Sequence, residues 1–198
     1  MQMLRSGVKK LDAVLFTHEH KDHTAGLDDI RPFNFAQKRD MPIFARRNVL
    51  EQIRREYAYI FNPKKYPGVP QVEQVEISDS QFNVNGLVVT PIPVLHYKLP
   101  VFGFRIGDFS YITDANYIPE ESMERLEGTE TLVLNALQID PHISHFTLDE
   151  AVQVARKIGA KQTYFTHISH RLGLHAQIDA QLPQGIALAY DGLELTLG

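Results

Sequence analysis

Residues 16–26 read FTHEHKDHTAG, and the six positions from His18 to His23 hold three histidines, a glutamate and an aspartate. The stretch follows an apolar run, LDAVLF over residues 11–16, which predicts a short buried strand. Ligand-type residues at the C-terminal side of a strand lie where α/β proteins place their ligand sites. His18 and His20 are two positions apart, a spacing that points both rings to one side of an extended chain. Asp22 and His23 come where the chain turns into a helix, which Asp22 is able to start. They can therefore aim at a second ion nearby. Glu19 and Lys21 alternate outward. Neutral imidazole and carboxylate are good ligands for zinc, manganese or iron. The spacing His-x-His-x-Asp-His arises by chance in roughly one chain of this length in a thousand.

Four residues do not complete two coordination shells. The remaining donors are expected at other strand ends: His96 after PIPVL, Asp114 after YIT, and His167 after TYFT. A carboxylate such as Asp114 can bridge two ions, which imidazole does not normally do. A lone histidine is more often structural, and His175 is read that way.

The other signals give the frame. The chain has 198 residues, 43% of them hydrophobic, a formal net charge of −4 and no cysteine. Disulfides and thiolate ligands are excluded within it. The charge argues against general nucleic-acid binding, and the short basic pairs read as solvated faces. No apolar run reaches the length of a membrane span and no signal peptide is read, so the cytoplasm is the expected location. MPIFA predicts a strand and residues 46–60 a helix, followed by a turn-rich loop at 62–70 that could act as a lid. Asn85-Gly86 and Gly107-Asp108 predict tight hairpins. Strand 131–137, helix 147–158, strand 161–166, a helix near 171–181 and a closing hairpin over 186–198 complete the reading. Hairpins followed by strand–helix alternation predict α/β layers with mixed sheets, in one domain over residues 1–198.

HEHKDH, His96, Asp114 in TDA and His167 in FTHISH together resemble the metal-binding motifs of the metallo-β-lactamase superfamily. That resemblance implies a four-layer αββα sandwich with a dinuclear metal site at one edge of two sheets. It also implies that His18, His20 and His96 hold one ion, that Asp22, His23 and His167 hold the other, and that Asp114 bridges them. PIPVLHYKLPVFGFRI, HFTLDEA, THISHRL and YDGLEL more narrowly resemble the cyclic phosphodiesterases of the bacterial carbon–phosphorus lyase pathway, which open phosphoribosyl cyclic phosphate and related 2′,3′-cyclic nucleotides. The resemblance places His145 as a proton donor to the leaving oxygen, with His142 beside it, and Asp22 among the catalytic residues.

The implied activity is a phosphodiesterase acting on a small phosphate ester, with a hydroxide shared between two zinc or manganese ions, or iron, as nucleophile. Lys98 and Arg171 are weighed as phosphate contacts, with solvated charge the plainer reading of each. A superfamily hydrolase of RNA, thioester or lactam stays open, as does an inactive scaffold. Relatives of this kind begin some tens of residues earlier and bind a separate structural zinc through cysteines and the position of His170. The expectation is therefore that His170 is an orphan without such an ion. Exposed sheet edge left by the missing strands is expected to seek cover, as a homodimer, by strand exchange or at the cost of stability.

Overall fold

The computed structural model describes residues 2–197. They form two compact units, Met1–Gly86 and Leu87–Gly198. The first contains α1 (Gln2–Arg5), β1 (Val14–Leu15), α2 (Lys21–Thr24), a 3-10 turn (Leu27–Ile30), α3 (Arg31–Gln37), β2 (Met41–Ala45), α4 (Arg47–Glu56), α5 (Ala58–Phe61), β3 (Val72–Glu76) and β4 (Phe82–Val84). Strands β1, β2 and β3 pair in parallel, with Val14 opposite Ile43 and Met41 opposite Val72.

The apolar run 11–16 yields only two strand residues, fewer than its composition suggested. Side chains replace the ladder at its start. Gln37 accepts from the Leu11 N–H at 2.7 Å and donates to the Leu11 carbonyl at 2.8 Å, while Arg39 donates to the carbonyls of Leu11 and Asp12. MPIFA forms β2 as expected. Helix 46–60 is interrupted at Tyr57, whose hydroxyl donates to the Thr24 carbonyl at 2.8 Å. Phe16, Ile43, Val49, Ile53 and Tyr57 belong to the buried cluster of this unit. Both members of the basic pair Arg46-Arg47 meet acidic side chains: Arg46 meets Asp79, and Arg47 meets Glu76.

The second unit holds β5 (Leu87–His96), β6 (Leu99–Ile106), β7 (Phe109–Ile112), α6 (Glu120–Arg125), β8 (Thr131–Asn135), α7 (Leu148–Ile158), β9 (Gln162–Thr166), α8 (His175–Asp179) and β10 (Ile186–Leu188). Its sheet runs β10-β9-β8-β7-β6-β5 and is mixed: β5, β6 and β7 pair antiparallel, while β7 to β10 pair in parallel. Asn85 and Gly86 have φ of 49° and 92°, the left-handed pair that a type I′ turn requires. Gly107 takes φ 59° at the first position of the two-residue turn joining β6 to β7. Pro91 and Pro93 lie within β5, and their carbonyls accept from Arg125 and Ser122 of α6 at 3.0 and 2.5 Å.

Helix α7 is capped at both ends. Thr147 and Glu150 form a reciprocal capping box. Gly159 closes the helix in the left-handed region at φ 75°. Its Ala151 and Ala155 join Phe165, Leu132 and Leu134 in the core of this unit. The helix near 171–181 is reduced to α8, because Gly173 at φ 115° breaks the run before it. The closing hairpin does not form among the described residues. β10 pairs in parallel with β9, and the chain turns at Asp191-Gly192 without a returning strand. No helix among the described residues is long and apolar enough to cross a membrane.

Among the glycines of this sheet, Gly103 of β6 leaves the least room for a side chain. A Cβ there would meet the Tyr111 carbonyl oxygen at 2.8 Å and Ile112 Cγ1 at 2.9 Å. Gly103→Ala is expected to destabilise the fold by about 1–3 kcal/mol through overpacking, read as a lower thermal midpoint. An unchanged midpoint would show that β6 and β7 can part at no cost.

Candidate metal centre

In the first unit the donors are local in sequence. The Phe16 N–H donates to the Phe44 carbonyl at 2.9 Å, which seats the chain beside β2 just before the motif. His18 is fully buried and His20 is exposed. Their rings meet edge to face with centroids 4.6 Å apart, and His18 Nε2 lies 3.0 Å from His20 Nδ1. The His23 ring is 4.3 Å from that of His18. Asp22 Oδ2 lies 3.3 Å from His23 Nε2. The N-cap of α2 is His20 and not Asp22, which sits inside the first turn. That places Asp22 and His23 on the helix, one turn past the extended pair, so the segment gathers all four donors.

In the second unit the donors come from distant stretches brought to one sheet edge. His96 ends β5, Asp114 follows β7 by two residues and His167 follows β9 by one. Parallel pairing of β7, β8 and β9 puts their C-terminal ends together. Asp114 and His167 both adopt left-handed backbone, with φ of 58° and 55°. For non-glycine residues this costs of order 1–3 kcal/mol each and persists where surroundings enforce it. Here the effect is convergence. Asp114 Oδ2 lies 3.4 Å from His167 Nε2 and 3.2 Å from His145 Nε2. The rings of His145 and His167 stack with centroids 4.9 Å apart, and His96 meets His145 edge-on at 4.6 Å.

Two features hold this edge that the sequence reading did not single out. Asn135, wholly buried at the end of β8, accepts from the Ala115 N–H at 2.8 Å and donates to the Ala115 carbonyl at 2.9 Å. Its amide thereby copies a peptide group and fixes the backbone next to Asp114. A polar residue inside the apolar run TLVLNAL was the available signal. The second feature is Ser144. Its carbonyl accepts from His96 Nδ1 at 2.9 Å, its N–H donates to His142 Nδ1 at 3.4 Å, and its Oγ lies 3.1 Å from His145 Nδ1. His175 is exposed and donates through Nε2 to the Ala189 carbonyl, and His170 is exposed.

The donor sets fit divalent ions. His96 must carry its proton on Nδ1 to donate to a carbonyl, which leaves Nε2 with a lone pair, the arrangement that outer hydrogen bonds impose on ligating histidines. In the first unit, two imidazole nitrogens 3.0 Å apart cannot both bear a proton. Hard and borderline donors without thiolate suit zinc, manganese or iron.

Comparison with known proteins adds to this geometry. The family described as the β-lactamase superfamily domain matches residues 1–168. The crystal structure of a diphosphatase from the PhnP family superposes with a TM-score of 0.90 at 40% identity, covering 99% of this chain and 75% of that one. The metallo-β-lactamase fold protein YhfI from Bacillus subtilis gives 0.73 at 20% identity, covering 92% and 76%. The short form of human tRNase Z gives 0.68 at 18% identity, covering 99% and 83%. At these lower identities the likeness is one of fold. An octanoyltransferase of Porphyromonas gingivalis is 38% identical over 195 residues, which cover 98% of this chain and 39% of that protein. The chain thus spans about two fifths of that relative's length.

The Asn135 clasp gives a direct test. Asn135→Ala removes both bonds and leaves the buried Ala115 N–H unsatisfied, while the carbonyl keeps its bond from the Phe146 N–H, so a loss of about 1–3 kcal/mol is expected in denaturant unfolding. A loss below about 0.5 kcal/mol would mean that water takes over both bonds.

Proposed function

Because this chain belongs to the β-lactamase superfamily and has the metallo-β-lactamase α/β fold, we propose that it is a divalent-metal-dependent hydrolase of phosphate esters, acting on small phosphodiesters. The observation that carries this reading is the likeness to the PhnP-family diphosphatase over 99% of the chain. The chemistry of the donors supports it. His18, His20 and His96 would hold one ion, Asp22, His23 and His167 a second, and Asp114 would serve both. Bound zinc, manganese or iron would lower the pKa of water and neutralise charge on the phosphoryl oxygens.

The remaining steps fall to the chain. The oxygen of water forms the new P–O bond, and the proton it loses passes to Asp22. The ester oxygen departs with the electron pair of the broken bond and takes a proton from His145 Nε2. That nitrogen lies 3.2 Å from Asp114 Oδ2, on the side of the ring that faces the donor set. A histidine in this role contributes typically 10²- to 10⁴-fold, most for a poor leaving group. Small cyclic phosphates and cyclic nucleotides, whose leaving group is an alkoxide, are the substrates that need it most.

Hydrolysis of bis-p-nitrophenyl phosphate with added Mn²⁺ or Zn²⁺ tests the reading. Turnover is expected, abolished by a chelator, restored by metal and lowered by more than about 100-fold in Asp114→Ala. His145→Ala is expected to lose most on 2′,3′-cyclic nucleotides. An octanoyl thioester is the control. Its cleavage, with phosphodiesters untouched, would replace phosphoryl chemistry with acyl chemistry.

A further inference from the structure

Two-residue turns join β5 to β6 and β6 to β7, and they differ in one residue that matters. The register pairs His96 with Leu99 and Ile106 with Phe109, so Tyr97-Lys98 and Gly107-Asp108 are the central pairs. In each turn only the first central residue is left-handed, with φ 57° at Tyr97 and 59° at Gly107. This is the II′ pattern, which favours glycine at that position. Gly107 meets the preference and Tyr97 does not, so the turn at the donor edge carries backbone strain that its neighbour avoids. Burial does not compensate for it, because Tyr97 is 47% exposed and Lys98 is exposed. The strained conformation is held from the side. Asn116 Oδ1 accepts from the Tyr97 N–H at 2.6 Å. The Asn116 N–H donates to the Leu95 carbonyl at 2.9 Å, and the Leu95 N–H donates to the Tyr117 carbonyl at 3.0 Å. The turn thus follows His96 directly, and the segment that supports it follows Asp114.

We infer that Tyr97 is a specificity-determining residue: its ring stacks on the base of a nucleoside phosphate whose phosphate meets the donor set. The inference rests on the phosphodiesterase reading and deepens it. The Lys98 amine stands over the Tyr97 ring, 5.2 Å from its centroid, so an aromatic face and a cation are presented together. A planar base suits the first and a phosphoryl oxygen the second. Other donor-bearing loops of this unit also carry exposed apolar side chains: Tyr117 after Asp114, Ile143 before His145 and Ile168 after His167. That mixture is expected where a ligand has a charged part and an apolar part. The spacing agrees. Tyr97 begins one Cα step, about 3.8 Å, from His96, and in a nucleotide one ribose separates the base from the phosphate. A base therefore falls beside the donors and not among them.

Two measurements test it. The first compares adenosine 2′,3′-cyclic phosphate with methyl riboside 2′,3′-cyclic phosphate, which share the bond that breaks and differ in the base. The parent with Mn²⁺ is expected to favour the adenosine ester in kcat/KM by about tenfold or more, the scale of one base stacked on one aromatic ring. Tyr97→Gly keeps the turn, since glycine takes this φ freely, and is expected to lose the preference. Tyr97→Phe keeps the ring and is expected to retain it. Equal kcat/KM on the two esters in the parent, or a preference that survives in Tyr97→Gly, would overturn the inference, since a residue that only shapes the turn does not read the base. The second is saturation-transfer NMR of adenosine 3′-monophosphate with the full chain and Zn²⁺. The base protons are expected to receive saturation from the parent and to lose most of it in Tyr97→Gly. No transfer in the parent, or equal transfer in the variant, would overturn it. If neither ester is cleaved, the phosphodiesterase reading fails, while the base protons still decide the role of Tyr97.

Discussion

A carboxylate with 2% of its surface exposed cannot keep its charge without close compensation, and Asp114 is such a group. Thr113 Oγ1 donates to Oδ1 at 2.6 Å, and the imidazoles of His145 and His167 stand against Oδ2. The desolvation penalty for an unpaired ion is several kcal/mol, so the surrounding imidazoles and any bound cation are tied to this one side chain. The rest of the sheet edge is arranged to keep it there. Its left-handed backbone is enforced by the bonds of Asn135 to the next residue, and the Phe146 N–H donates to the Ala115 carbonyl at 2.8 Å. The loop that supplies His145 is thus sewn to the segment after β7 that supplies Asp114.

The loop before α7 follows the same logic. Leu137 and Leu148 close backbone bonds to Phe146 and Gln138, and the capping box at Thr147 starts the helix two residues after His145. His145 is therefore held between a helix cap and the residues that follow a strand end. Ser144 serves three histidines at once through three different atoms. This economy is available only because the loop is short and its backbone polar groups are used up locally.

Much of this was legible in the residues. The donors of the first unit could be read because they are neighbours in sequence, and their geometry follows from one extended step and one helical turn. His96, Asp114 and His167 could be read because each stands at the end of an apolar run. Asn85-Gly86 and Gly107 declared their turns, since few residues accept their φ. What was not legible was long-range. Nothing local reveals that Gln37 and Arg39 would take over the backbone of Leu11, or that Asp114 and His167 would be forced into left-handed conformations. The capacity of Asn135 to clasp Ala115 depends on strand register. The closing hairpin was over-read: the turn chemistry of Asp191-Gly192 was correct, but a turn does not guarantee a strand after it.

The amide of Asn135 also has a chemical lifetime. Hydrolysis to aspartate in an ageing molecule would put an acceptor opposite the Ala115 carbonyl where a donor is required, at a position enclosed by protein. The carboxylate beside it would lose its anchorage while every donor in the set stayed intact. Wear of this kind would loosen the backbone beside Asp114 without altering a single donor, so the position of that carboxylate depends on an atom outside the set.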